Sequence, residues 1–295
     1  VFSVFFILIL CFIIPKFLFM VFSAAGHLLP YTKAGDYTGL VLSVLFCMAA
    51  GYGLGFGWKK VSIREVDLAF ENLPESFEGY RIAQFSDWHL GTYTNSIETI
   101  EKEIERTLEK APDMIVFTGD IVNGDAFEMK PFMNALAKLK ARDGVYSVMG
   151  NHDYCMYSSQ GSSPETAARN ISEIQQNERS LGWNLLLNEN RIISNGTDSI
   201  AVIGVENDGT PPFPERGDLA KAQQDLPDGI FKVLLSHDPT HWRRKVLSDT
   251  DIDLTLSGHT HAAQFRIGRF SPSRWFYKDW GGLYEEGDRK LYVST

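Results

Sequence analysis

Cysteine is scarce in this chain. Cys11, Cys47 and Cys155 are the only three in 295 residues, too few and too scattered for a disulfide framework. Cys11 and Cys47 lie in apolar stretches, and Cys155 reads as a small buried residue rather than a working thiol. Positive charge is short too, with 28 Lys and Arg against 37 Asp and Glu, a net charge of −9. Residues 1–60 hold Lys16, Lys33, Lys59, Lys60 and the single acid Asp36, so residues 61–295 are strongly acidic. An acidic domain lacks the Lys/Arg face that a phosphate backbone demands, so no nucleic-acid partner is expected. Internal repeats and low-complexity segments are also missing, which excludes solenoids and flexible linkers.

What the chain does have is two long apolar runs at its start. Residues 1–24 are nearly all apolar, broken at Pro15 and Lys16, and residues 38–58 carry no charge. About 20 such residues span a bilayer as a helix. Trp58, Lys59 and Lys60 close the second run as an interfacial aromatic and basic anchor would. A signal peptide fits poorly on length, on the missing basic start and on the second run. The expectation is a transmembrane region over 1–60, with segments 1–24 and 38–58, followed by a globular domain over 61–295. Gly51, Gly53, Gly55 and Gly57 suit close helix packing, although glycine weakens a helix. Lys59, Lys60 and Arg64 flank the globular side and Lys33 the other, which favours a cytosolic domain at the cytoplasmic membrane. The chain begins without Met and stops in the strand-like run 291–295, so the domain is expected to be truncated at its C-terminus.

Short polar motifs follow five apolar runs. Asp87-Trp88-His89 ends 80–86, Gly119-Asp120 ends 114–118, and Gly150-Asn151-His152-Asp153 ends 145–149. Ser236-His237-Asp238 ends 231–235, and Gly258-His259-Thr260-His261 ends 252–257. Each run is β-branched or aromatic and bounded by polar residues, so each predicts a buried strand. Strand tips along one sheet rim are where open α/β proteins place their sites. Five of the seven histidines fall in these motifs; His27 and His241 do not. Carboxylates, an amide and imidazoles together are a ligand set for two divalent cations, and a paired-metal centre implies phosphate-ester hydrolysis.

Helical spacing of Ile97, Ile100, Ile104 and Leu108 predicts a helix over 96–110, capped by Thr94 or Asn95. Further helices are expected over 131–140, 164–181, 217–226 and 240–247, and strands over 61–70, 184–187, 191–193 and 199–205. Strand–helix alternation followed by clustered strands points to an α/β sheet sandwich.

The order D-x-H, G-D, G-N-H-D, H, G-H-x-H resembles the calcineurin-like metallophosphoesterase family, with all blocks unsubstituted from Asp87 to His261. The wider match is similar to a membrane-anchored bacterial branch that includes UDP-2,3-diacylglucosamine pyrophosphatase-like and phosphodiesterase members. The resemblance implies a four-layer α/β/β/α sandwich of two mixed sheets, with 61–295 as the catalytic domain. It implies that Asp87, His89 and His261 bind one ion, that Asn151, His237 and His259 bind a second, and that Asp120 bridges them. The cofactors are then two divalent ions of the Mn, Fe or Zn type, and a bridging hydroxide attacks phosphorus. His152 is expected to serve the leaving group or the developing charge, with Asp153 orienting its imidazole. The substrate is a phosphodiester or pyrophosphate, lipid-linked if the tether reflects its source. A protein phosphatase and a non-catalytic membrane scaffold on the same fold are the alternatives. Three readings stay open: His241 as a substrate neighbour or a surface residue, Asn123 as a substrate contact or a turn, and the aromatic segment 265–284 as a lipid-facing loop or a packed one.

Overall fold

Two long apolar runs fold the N-terminal residues into a helical hairpin. The computed structural model describes residues 9–29, 31–55, 57, 61–158, 163–264 and 271–295. A π-turn, Ile9–Ile13, gives way at Pro15 to α1 (Ile14–Leu28), and α2 (Thr32–Gly55) runs back along it. Pro15 sits in the first turn of α1, directly after the π-turn. The two spans Ile9–Leu28 and Thr32–Gly53 have mean hydropathies of 2.1 and 1.4, long and apolar enough to cross a bilayer. The second helix begins earlier than expected and takes in Lys33 and Asp36; the Asp36 carboxylate accepts a 2.6 Å bond from Ser23 Oγ. The helices meet at small residues. A Cβ on Gly35 would lie 2.6 Å from the Phe22 carbonyl oxygen and 2.7 Å from Gly26 Cα. Ser43 Oγ donates to the Pro15 carbonyl at 2.7 Å, tying the hairpin. Gly51, Gly53 and Gly55, expected to carry the packing, face open space. Residues 58–60, read as the anchor, lie outside the described residues.

The chain divides into Val1–Ser62 and Ile63–Thr295. In the second unit, β1 (Ile82–Phe85), β2 (Met114–Phe117), β3 (Val145–Ser147) and β4 (Asn184–Leu185) form one sheet in that order. The second sheet runs β5-β6-β7-β8-β10-β9, from β5 (Glu189–Asn195), β6 (Asp198–Gly204), β7 (Phe231–Leu235), β8 (Leu254–Ser257), β9 (Gly282–Glu286) and β10 (Arg289–Val293). The larger sheet is mixed, with β5 and β9 antiparallel to their neighbours. The smaller one is parallel throughout rather than mixed as expected. Its strands are joined by crossovers through helices, which require parallel pairing.

Strand parity builds the layers. Met114 and Val116 enter a core shared with Val202, Val233, Leu235 and Leu256, while Ile115 and Phe117 face a core containing Ile100, Ile104 and Ile174. Those three come from α3 (Ile97–Leu108) and α5 (Pro164–Ser180), which cover the outer face of the small sheet. On the far side, Ala201, Ile203 and Leu234 pack under Leu219, Ala222, Trp242 and Val246. The order is helix, sheet, sheet, helix. Between α3 and α5 lies α4 (Met133–Leu136), entered through a 3₁₀ turn, Ala126–Phe132, that contains Pro131; the helix expected over 131–140 is thereby cut to one turn. The expected helix over 217–226 shortens to α6 (Leu219–Ala222), and that over 240–247 is mainly a π-turn, Trp242–Val246. Ser96, not Thr94 or Asn95, is the N-cap of α3. Residues 61–70 form no strand: Leu68 and Phe70 pack on the inter-sheet core without a ladder.

Candidate metal centre

Every motif residue expected at the site sits just beyond the C-terminal end of a parallel strand. Asp87 and His89 follow β1, Asp120 follows β2, and Asn151 and His152 follow β3; His237 follows β7, and His259 and His261 follow β8. Five of them adopt left-handed backbone: Asp87 (φ 56°), His89 (46°), Asp120 (59°), His259 (74°) and His261 (48°). Such a conformation costs roughly 1–2 kcal/mol for a non-glycine residue, and strain of this kind collects at functional sites. The turn folds each side chain back across the strand tip. Neighbouring glycines make room: a Cβ on Gly150 would overlap the Asp120 carboxylate, and one on Gly258 would overlap Ser86 and Asp87. The glycines of the G-N-H and G-H-x-H motifs are therefore steric requirements of the site.

Two groups of donor atoms result, each with its atoms within 4.8 Å of one another. One is Asp87, His89, Asp120 and His261; the other is Asp120, His237 and His259. Asp120 belongs to both. In the first, His89 Nε2 and His261 Nε2 lie 3.0 Å apart, with Asp87 Oδ1 3.3 Å from His261 Nε2 and Asp120 Oδ2 3.7 Å from His89 Nε2. In the second, His237 Nε2 faces Asp120 Oδ2, Asn151 Oδ1 and His259 Nδ1, each at 3.2 Å. Asn151 thus joins the second group through its amide oxygen.

Ring orientation decides what these atoms can do. His89 Nδ1 lies 3.2 Å from the Val122 carbonyl, His237 Nδ1 lies 2.7 Å from that of Thr118, and His152 Nδ1 lies 2.8 Å from that of Asn123. A carbonyl only accepts, so each Nδ1 carries hydrogen and each neutral ring keeps a lone pair at Nε2. Lone pairs of His89 and His237 therefore converge with carboxylate and amide oxygens, an arrangement that repels itself unless a cation or proton lies between. Without an ion, the Asp120–His237 pair supplies a proton. Burial opposes charge on both, yet the adjacent carboxylate pushes His237 up to about 10, and the imidazoles of His237, His89 and His152 hold Asp120 below the carboxylate range. Burial takes His89 down to about 4, leaving it a neutral donor. A mixed nitrogen and oxygen donor set of this kind fits a borderline divalent cation, and binding one releases the proton.

The three carbonyl anchors all belong to the segment after β2, and Asp153 holds that segment. Its two oxygens accept from the N–H groups of Asp120 (2.7 Å), Ile121 (2.9 Å), Val122 (3.2 Å) and Gly150 (2.8 Å). Asp153 was expected to orient His152; instead the Asn123 carbonyl does so, and Asp153 cages the Asp120 loop. Burial and the Asp120 charge push its carboxyl up to about 7, against the N–H groups that favour ionisation. Asn123 also donates its N–H to Glu128 at 2.6 Å, as a turn residue does. His241 is fully buried, its Nδ1 2.8 Å from Ser236 Oγ, so it is neither a surface residue nor in either donor group. Cys155 is buried, and burial raises its thiol to about 12. Motif reading missed the aromatic contacts: Tyr157 lies against the His152 ring (4.4 Å between centroids), Phe213 meets His259 edge-on (4.9 Å), and the Tyr277 hydroxyl is 2.9 Å from His259 Nε2. Of the aromatic segment, 265–270 lies outside the described residues; Trp275 and Phe276 are 70% and 81% exposed.

The calcineurin-like phosphoesterase family model matches residues 80–263, more than half of the chain. The chain is 28% identical over 257 residues to the uncharacterized metallophosphoesterase YkuE of Bacillus subtilis, covering 82% of each. It is 32% identical over 247 residues to a bovine transmembrane protein with metallophosphoesterase domain, covering 79% of this chain but 52% of that protein. Among solved structures, a dimetal phosphatase from Danio rerio superposes with a TM-score of 0.43 at 13% identity, covering 72% of this chain and 86% of that one. The motif order, the shared donor groups and the family match lead to one conclusion: the chain belongs to the calcineurin-like phosphoesterase family and is a metal-dependent phosphoester hydrolase.

Proposed function

We propose that the protein is a membrane-anchored dinuclear-metal enzyme that hydrolyses a phosphodiester or pyrophosphate. The observation that carries this reading is the sharing of Asp120 by two donor groups. Asp87, His89 and His261 would hold one ion, Asn151, His237 and His259 would hold the other, and Asp120 would serve both. The donor chemistry suits Mn, Fe or Zn. Two such ions supply charge neutralisation for phosphoryl oxygens and a water of lowered pKa.

The protein's own groups do the rest. The Asn123 carbonyl accepts from His152 Nδ1–H, so the ring gives a proton from Nε2 to the departing oxygen as the imidazolium, protonated on both nitrogens, and is left neutral with its hydrogen on Nδ1. Asp153 keeps the Asp120 loop rigid beneath it. The two apolar helices support a membrane location, and we assign the catalytic unit to the cytosolic side of the cytoplasmic membrane. The bovine relative is named a transmembrane protein, which supports the tether. That tether and the exposed Trp275 and Phe276 next to Tyr277 support a lipid-linked substrate as the reading.

Turnover of bis-p-nitrophenyl phosphate with added Mn tests the reaction. His152→Ala should lose about 10²- to 10⁴-fold in kcat, and unchanged turnover would reject its role. A panel of lipid-linked diphosphates, generic diesters and phosphopeptides on detergent-solubilised protein tests the substrate class; preference for phosphopeptides would make it a protein phosphatase instead.

A further inference from the structure

His259 differs from the other histidines of the site in what holds it. His89, His152 and His237 each rest on a carbonyl that can only accept. The His259 ring is reversed: Nδ1 faces His237 and the second donor group, and Nε2 faces the Tyr277 hydroxyl at 2.9 Å. A phenol both donates and accepts, so the partner alone does not fix which ring nitrogen carries hydrogen. A cation at Nδ1 does fix it: Nε2 must then carry the hydrogen and donate to Tyr277 Oη. That leaves the phenolic proton seeking another acceptor. Among the described residues the hydroxyl has no hydrogen bond besides the one to His259.

Tyr277 is held in place. Its N–H donates to the Ser273 carbonyl at 2.8 Å, and Ser273 Oγ donates to the Thr260 carbonyl at 3.3 Å. Thr260 Oγ1 donates to the Trp280 carbonyl at 2.5 Å, and Arg243 clasps Asp279 with bonds of 2.6 and 3.0 Å. The Thr260 bonds tie 271–280 to the G-H-x-H turn, and Arg243 ties it to the turn Trp242–Val246. His259 is also met edge-on by Phe213 and Tyr277, which restrains ring rotation.

Resting on the metal reading above, we propose that Tyr277 accepts the Nε2–H that His259 carries when Nδ1 holds the ion, and turns its own hydroxyl proton outward to a phosphoryl oxygen of the substrate. Tyr277 is then a substrate-contacting residue supplied by the aromatic segment rather than by any motif.

Calorimetric titration of the full chain with Mn, and inhibition of the Mn-loaded enzyme by inorganic phosphate, test both halves. Tyr277→Phe should bind Mn about 10-fold more weakly, as loss of a partner behind a metal-bound imidazole does, and phosphate about 10-fold more weakly, as loss of one hydrogen bond does. Ile192→Ala, at an exposed position of β5, should change neither. Wild-type values for Tyr277→Phe in either measurement overturn the proposal. A wild-type chain that binds no Mn would instead refute the metal reading itself.

Discussion

Buried carboxylates keep opposite company in the two halves of the catalytic unit. Under the small sheet, Glu178 of α5 takes a hydrogen bond from the Ser147 hydroxyl, and Asp153 takes four from backbone N–H groups. Among the described residues neither forms an ion pair with Lys or Arg. Burial raises Glu178 to about 8 and Asp153 to about 7. Beside the larger sheet, Asp208 pairs with Arg244 at 2.5 Å and Lys245 at 2.8 Å, and Asp279 pairs with Arg243. There the burial penalty on Asp208 is outweighed by His241, Lys245 and Arg244, and its carboxyl is lowered. The first arrangement places uncharged dipoles around the Asp120 loop without adding positive charge near the two donor groups. The second anchors the outer loops by charge, where added cations do not compete with a metal. The small sheet also contributes every carboxylate in the two donor groups, and the larger one contributes only imidazoles.

The largest effect should come from the cage. Asp153→Asn would turn an amide NH₂ toward two of the four N–H groups, at about 1–3 kcal/mol for each donor left unpaired. We expect a lower melting temperature and Mn binding weakened 10- to 100-fold. Calorimetry on the variant checks both, and unchanged values would show the cage to be dispensable.

A smaller effect separates the halves by pH. The folded-state pKa of Glu178 lies above its unfolded value, so its stabilisation is complete below about 4.5 and fades as pH rises through about 8. Asp208 behaves oppositely: its contribution is present above its unfolded value near 3.8 and is lost as pH falls through its depressed folded value. Denaturant unfolding should show Glu178→Gln flattening the decline between pH 5 and 9 by a few kcal/mol at most, and Asp208→Asn removing only an acid-side loss. Parallel pH profiles for both variants and the wild type would erase the contrast.

The metal motifs were legible because strand and turn are local. An apolar run followed by Gly and a ligand specifies a buried strand whose tip must bend, and Gly150 and Gly258 are required by the overlap a Cβ would create. The partners of those ligands were not legible. Carbonyls of Thr118, Val122 and Asn123 carry no side-chain signature, so Asp153 was paired with His152 by adjacency rather than with the loop it cages. Tyr277 lies 18 residues from His259 in a segment that composition marks only as aromatic. Residues 61–70 show that alternation reports which side chains face a core, not whether the backbone joins a ladder. The exposed edge strand β9 escaped notice for the converse reason: it pairs in a ladder while burying little.

Ion stoichiometry is the deciding quantity. Equilibrium dialysis against Mn followed by elemental analysis should find two ions per wild-type chain, one for each donor group, and loss of both in Asp120→Ala, the residue common to them. A wild-type chain holding one ion or none, or an Asp120→Ala chain that keeps two, would contradict a paired centre built around that carboxylate.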